Sequence, residues 1–140
     1  MVSMNKLLIP ADTGNLGKVL GFVSHNLDSI EIPLKNRFQL ELAIEEAYVN
    51  IAKYAYGKKE GDVLIEYSFE EDHLIITIKF TDCGIQYNPL EKEDPDIVSK
   101  TSEKEIGGLG IYLIKKNVDY LGYEYVNGKN ILTIQKKLKK

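Results

Sequence analysis

Along the chain, apolar residues keep a helical period in three stretches and alternate with polar ones in the stretches between and after them. "KLLIPA" is a short apolar run ended by a proline, which predicts a first strand. From Asp12 to Leu27 the residues Leu16, Val19, Leu20, Val23 and Leu27 recur at helical spacing, with Asp12 or Thr13 available as N-cap. Pro33 suits the first turn of a second helix, whose pattern Leu34, Phe38, Ala43 or Ile44, Ala47, Tyr48, Ile51 and Ala55 continues to Tyr56 and stops at Gly57. The period then becomes two. Val63, Ile65, Tyr67 and Phe69 share one face, as do Leu74, Ile76, Ile78 and Phe80, and "EEDH" between them predicts an antiparallel hairpin.

Cys83 to Glu105 follows neither period and holds glycine, two prolines and many charges, which predicts a long loop of the kind compact domains keep for function or leave disordered. A helical pattern resumes at Leu109 or Gly110 through Leu113, Ile114 and Val118, with Gly122 as its stop. "YEYVNGKNILTIQKKL" closes the chain as two alternating runs around Asn127-Gly128, residue types that supply the positive φ angles of a tight hairpin turn. Strands joined mostly by hairpins, with helices free to gather on one face, predict an α+β fold: a two-layer sandwich with a mixed, mostly antiparallel sheet.

Length and charge narrow the possibilities. A chain of 140 residues fits one domain, residues 1–140, with a single core. The formal net charge of −3, with both signs interspersed, argues against a general nucleic-acid binder. The basic "KKLKK" at the end reads as a solvated tail closing a strand. One cysteine, Cys83, excludes an internal disulfide, and with no cation or base beside it reads as a small filler. No apolar run approaches a signal sequence or a membrane span, so the chain is expected to be soluble, unprocessed and cytoplasmic.

Against this background the second helix, "ELAIEEAYVNIAKYAY", stands out because a core helix carries Glu46, Asn50 and Lys53 along one side. Glu46 and Asn50 are one turn apart, and Lys53 lies within a turn of Asn50. Such groups are costly to bury unpartnered, so that side faces either water or a ligand. An Asn oxygen is a hard neutral ligand suited to a magnesium ion bridging nucleotide phosphates, a Glu can take a proton from an attacking hydroxyl, and a Lys can balance phosphate charge. In "FTDCGIQYNPL", Asp82 stands where a strand leaves the sheet and can accept from an exocyclic amine, while Gly84 permits close approach of a flat ligand. In "EIGGLGIYLIKK", Gly107, Gly108 and Gly110 open a helix and let main-chain N–H groups approach phosphate oxygens. Neither the dinucleotide fingerprint nor a P-loop is present.

On "EEAYVN", "FTDCG" and "GGLGIYLIKKNVD", in that order, the chain resembles the Bergerat-fold ATPases shared by gyrase, the heat-shock chaperone of the ninety-kilodalton class, histidine kinases and MutL mismatch-repair proteins. Within them it is most similar to bacterial anti-sigma factor serine/threonine kinases, from about Leu7 to Leu138. The resemblance implies Glu46 as general base, Asn50 as magnesium ligand, Asp82 and Gly84 at the adenine, and Gly107, Gly108, Leu109 and Gly110 over the phosphates of ATP. Lys53 matches a phosphate-touching Lys of histidine kinases. It further implies a sigma factor and an antagonist protein of the STAS type as partners, and a homodimer formed through the N-terminal strand and helix.

The chain departs from the family at Gln86, where the first glycine box often ends in Gly, and at Ile106, where sporulation-type kinases carry an Arg for the terminal phosphate. Lys100 or Lys104 could supply that charge from the loop. Three functions therefore stay open: an Mg-ATP-dependent anti-sigma kinase, a nucleotide-responsive binding module without transfer, and a relative of the histidine-kinase catalytic domain. The last lacks a dimerisation helix with a phosphorylatable His, since His25 falls in the first helix and His73 in a hairpin turn.

Overall fold

The computed structural model describes residues 2–91 and 106–138, with side chains from Met4 to Glu91 and from Gly110 to Leu138. Its elements are β1 (Val2–Pro10), α1 (Leu16–Leu27), α2 (Leu34–Tyr54), β2 (Asp62–Glu70), β3 (Ile75–Asp82), α3 (Ile106–Asn117), β4 (Tyr120–Val126) and β5 (Lys129–Lys137), with single 3₁₀ turns at Thr13–Asn15 and Pro89–Glu91. The strands form one sheet in the order β1-β2-β3-β5-β4. Among the described residues every pairing is antiparallel, where the sequence pattern predicts a mixed sheet. Hairpins account for two of the pairings, β2 with β3 and β4 with β5, whereas β1 adds to the outer edge of β2 and β5 pairs with β3 across the segment that carries α3 and β4.

Alternation along the strands sends Val63, Ile65, Tyr67 and Phe69 of β2, Ile76, Ile78 and Phe80 of β3, and Leu132 and Ile134 of β5 to one face. There they meet Val19, Val23 and Leu27 of α1, Leu40, Ala43, Ile44, Ala47 and Tyr48 of α2, and Ile111 and Ile114 of α3 in a single core. Helices and sheet thus form the two layers expected. Tyr48 is fully buried, and its hydroxyl donates to Asp12 O at 2.7 Å and accepts from Asp12 N at 3.2 Å, tying α2 to the end of β1. Tyr48→Phe is expected to cost about 0.5–1.5 kcal/mol in urea unfolding, because it removes the hydroxyl's bonds to that turn while Asp12 N keeps Pro10 O and Asp12 O keeps Asn15 N as backbone partners.

Several boundaries differ from the sequence pattern. Helix α1 begins at Leu16, because Thr13–Asn15 winds as a tighter 3₁₀ turn, and Asp12 makes no side-chain cap. Helix α2 closes at Tyr54 rather than Tyr56. Leu34 and Phe38 keep the helical period yet are 82% and 69% exposed, at the outer end of α2. Leu74 sits in the β2–β3 turn with φ 55° rather than in the strand, and Asn127 and Gly128 take φ 51° and 77° in the expected tight turn.

Helix α3 ends at Asn117, five residues short of Gly122, because "YLGYEYV" pairs with β5 as strand β4. A Cβ on Gly122 would lie 2.2 Å from the Tyr120 hydroxyl, but Tyr120 is about half exposed and its ring can swing aside, so the glycine is not required there. Of the "KKLKK" tail, the described residues 136–138 are only partly solvated. Lys136 is buried and its Nζ donates to Asn117 O at 2.8 Å, a cation on the C-terminus of α3, and Leu138 joins the core. Cys83 is exposed, so it fills no core space.

Candidate nucleotide site

The last residue of β3, the start of β5 and the second half of α2 converge at one end of the sandwich. Asp82 and Asn130 are direct cross-strand partners in the β3–β5 ladder. With Ala47, Asn50, Ile51, Tyr54 and Ala55 of α2, and Ile85, Tyr87, Pro89, Tyr123 and Leu132, they line a mostly apolar slot of about 50 Å³. That is less than a purine fills, so a ring enters only as the rim side chains Tyr54, Ile85 and Tyr87, which are 52%, 68% and 40% exposed, move outward. A larger groove of about 980 Å³ lies at the opposite end, between the α1–α2 connection and the β2–β3 turn. It contains none of the motif residues, and the slot is the better site because convergent polar groups, not volume, mark recognition.

Asp82 is 5% exposed. Its Oδ1 accepts from Gly84 N at 2.9 Å and from Asn130 Nδ2 at 3.0 Å, and among the described residues no hydrogen bond engages Oδ2. A carboxylate fixed through one oxygen, with the other free, is suited to accept from an exocyclic amine on an inserted ring.

Gly84 has a structural role that its sequence position does not indicate. The backbone here closes on the end of α2: a Cβ on Gly84 would lie 2.1 Å from Ala55 O, and Ile85 N donates to that same oxygen at 2.8 Å. Tyr56 reinforces this closure, accepting from Cys83 N at 2.8 Å and donating to Asp62 O at 2.6 Å. The glycine makes room for α2. Gln86 imposes no backbone strain, since the non-glycine residues with positive φ are Leu74 and Asn127 among those described.

Asn50 lines the slot with Asp82, so these two separately expected residues come together. One turn earlier, Glu46 is partly buried where α3 packs on α2, and a Cβ on Gly110 would come 3.8 Å from its Oε2. Burial pushes the Glu46 carboxyl above the usual carboxylate range, Glu45 adds to the rise, and Lys53 opposes it. Lys53 is exposed on the same side of α2, within electrostatic reach of Glu46. Gly107, Gly108 and Leu109 lie in the first turn of α3, with the side chain of Leu109 outside the described ones. Lys100, Lys104 and most of the 83–105 loop lie outside the described residues. The order along α2 is therefore Glu46 against α3, Asn50 between, and the slot with Asp82 beyond.

Sequence reasoning missed Asn130, Tyr123, Tyr56 and the rim residues. Asn130 lies directly beyond the "NGK" turn, but its place opposite Asp82 depends on a strand pairing across 48 residues.

Among the described residues no helix is long and apolar enough to cross a membrane, and no group of three His, Cys, Asp or Glu side chains could hold a metal. Residues 9–136 match the family described as the histidine kinase-like ATPase domain. The chain is similar to the serine-protein kinase RsbW of Listeria innocua, 31% identical over 99 residues covering 66% of this chain and 61% of that protein. It is also similar to RsbW of Bacillus cereus, 30% identical over 95 residues covering 66% and 59%. The matched part thus spans about three fifths of the curated relatives' length. Among solved structures, the RsbU and RsbW domains of Rv1364c from Mycobacterium tuberculosis superpose with a TM-score of 0.68 at 14% identity, over 97% of this chain and 33% of that one. The histidine kinase domain of a blue-light activated kinase from Erythrobacter litoralis superposes at 0.59 with 16% identity, over 93% and 62%. At these identities the two likenesses bear on the fold alone. On the match across nearly its whole length, the chain belongs to the histidine kinase-like ATPase domain family.

Proposed function

We propose that this chain binds Mg-ATP at the Asp82 slot and is an anti-sigma regulatory protein serine/threonine kinase. The observation that carries nucleotide binding is the half-engaged Asp82 carboxylate inside an apolar slot, with Asn50 and then Glu46 leading from it to the glycine-rich start of α3. Asp82 would accept from the adenine amine. Asn50 would give magnesium one neutral oxygen, with phosphate and water completing the shell, which agrees with an ion that keeps several waters. Magnesium, when bound, neutralises charge developing on the transferred phosphoryl group.

Transfer rather than mere binding rests on the similarity to proteins named serine-protein kinases. In this reading a Ser or Thr hydroxyl of a STAS-type antagonist loses its proton to Glu46, its oxygen bonds the γ-phosphorus, and the bond to ADP breaks. A sigma factor is the second partner, held or released according to the nucleotide and the antagonist's phosphorylation, and the active unit is a cytoplasmic homodimer. A second reading, a nucleotide-responsive binding module without transfer, is favoured by Ile106, an apolar residue where related kinases place a cation.

The test is a calorimetric titration of ATP with and without magnesium, beside Asn50→Ala. Wild-type binding is expected to strengthen with magnesium, and Asn50→Ala to erase that gain. Absence of saturable ATP binding by folded wild type would overturn both readings. A phosphate-transfer assay against STAS-type antagonists then separates them, labelled antagonist supporting the kinase and ATP binding without label the silent module.

A further inference from the structure

Asn130 makes as many hydrogen bonds as its side chain allows. Its Nδ2 donates to Asp82 Oδ1 at 3.0 Å and to Ile85 O at 3.0 Å, with Gly84 O more distant at 3.4 Å. Its Oδ1 accepts from Tyr87 N at 3.2 Å and from the Tyr123 hydroxyl at 2.5 Å. An amide offers two donors and two acceptor positions, so the group is saturated. The orientation is unambiguous: flipping the amide would set its NH₂ against the Tyr87 N–H and its oxygen against the Asp82 carboxylate and the Ile85 carbonyl. Asn130 is 7% exposed, and its partners come from the end of β3, from the loop after it and from β4.

Resting on the nucleotide reading above, we infer that Asn130 is a positioning residue that sets base specificity by holding Asp82 with Oδ1 engaged and Oδ2 free for the incoming ring. Geometry gives the reason. A carboxylate can rotate about its last bond, and Gly84 N alone fixes only one direction of that rotation. The second donation, from the strand directly opposite, fixes the plane. By gripping Ile85 O and Tyr87 N, the same amide holds the loop that forms the slot's wall. Asn130 itself has no remaining donor for a base, so it acts through Asp82.

The experiment compares ATP with purine riboside 5′-triphosphate, which lacks the 6-amino group, by calorimetry on wild type, Asn130→Ala, Asp82→Asn and the double variant. Asn130→Ala is expected to weaken ATP by about ten- to a hundredfold and the amine-free nucleotide by far less. In the Asp82→Asn background the same change is expected to cost little more, because the interaction it supports is already gone. Equal losses for the two nucleotides, or losses that multiply in the double variant, would overturn the inference and leave Asn130 a purely structural residue. Asn130→Thr guards against a folding defect: its hydroxyl can still donate to Asp82, so it is expected to recover part of the preference for the 6-amino group. No recovery in a folded Asn130→Thr protein counts against the proposal. If wild type binds neither nucleotide, the site assignment fails and the inference with it, whereas wild-type binding with uniform losses sinks the inference alone.

Discussion

Glu46→Gln is expected to lower phosphoryl transfer to an antagonist by about 10²–10⁴-fold, the usual contribution of a positioned general base, while leaving ATP affinity little changed. The split follows from geometry. Glu46 sits against Gly110 of α3, beside the slot but not among the residues that line it, so on the proposed nucleotide reading it would meet the reacting end and not the base. The pH dependence has a definite sign. A base works ionised, and burial holds the Glu46 carboxyl above the ordinary range, so the rate should fall with decreasing pH over a limb set higher than a free carboxylate's. Lys53 opposes the rise, so Lys53→Met should move that limb to still higher pH. A stopped assay of labelled antagonist across pH reads both effects. An unchanged rate for Glu46→Gln would remove Glu46 from the chemistry.

The same shift bears on stability. The folded-state carboxyl binds its proton more tightly than the unfolded one, so its contribution is fully present below the ordinary Glu range and is lost as pH rises through the raised value. Glu46→Gln lacks this loss. Relative to wild type it should gain stability at neutral pH, with no such gain in acid. A residue that destabilises the native state in the form its chemistry requires is typical of a site under functional constraint.

Much of this arrangement is legible in local pattern. Period-two alternation places the inner faces of β2 and β3, and period 3.6 places Ala43, Ile44, Ala47 and Tyr48 inward on α2. The flank of α2 beside that face is then fixed, and Glu46 and Asn50 fall on it. What local pattern cannot carry is pairing between distant strands. Asn130 reads as a hairpin flank until β5 inserts between β3 and β4, and Lys136 reads as solvated tail until α3 ends over it. Helix α3 stops early for the same reason: "DYLGYEY" suits either state by itself, and the ladder with β5 decides.

Gly84→Ala is expected to be the most damaging small substitution at the site, costing about 2–3 kcal/mol in urea unfolding, the upper part of the range for overpacking, because the obstacle is backbone. The new methyl would lie 2.1 Å from Ala55 O, 2.6 Å from Ala55 C and 2.9 Å from Ala55 Cβ. No rotamer relieves a Cβ clash, so either the end of α2 or the loop after β3 must retreat. Retreat breaks the 2.8 Å bond from Ile85 N to Ala55 O and pulls Gly84 N from the Asp82 carboxylate, so ATP affinity should fall with stability. Gly21→Ala is the matched control. Gly21 lies in α1 with nothing within 4 Å of its missing Cβ, and there the same change should stabilise by about 0.5–1 kcal/mol through helix propensity. Opposite signs at the two positions would establish that Gly84 is required for contact between α2 and the β3 loop. A neutral Gly84→Ala would mean that the loop shifts freely, and that the fixed carboxylate on which base recognition depends is not fixed.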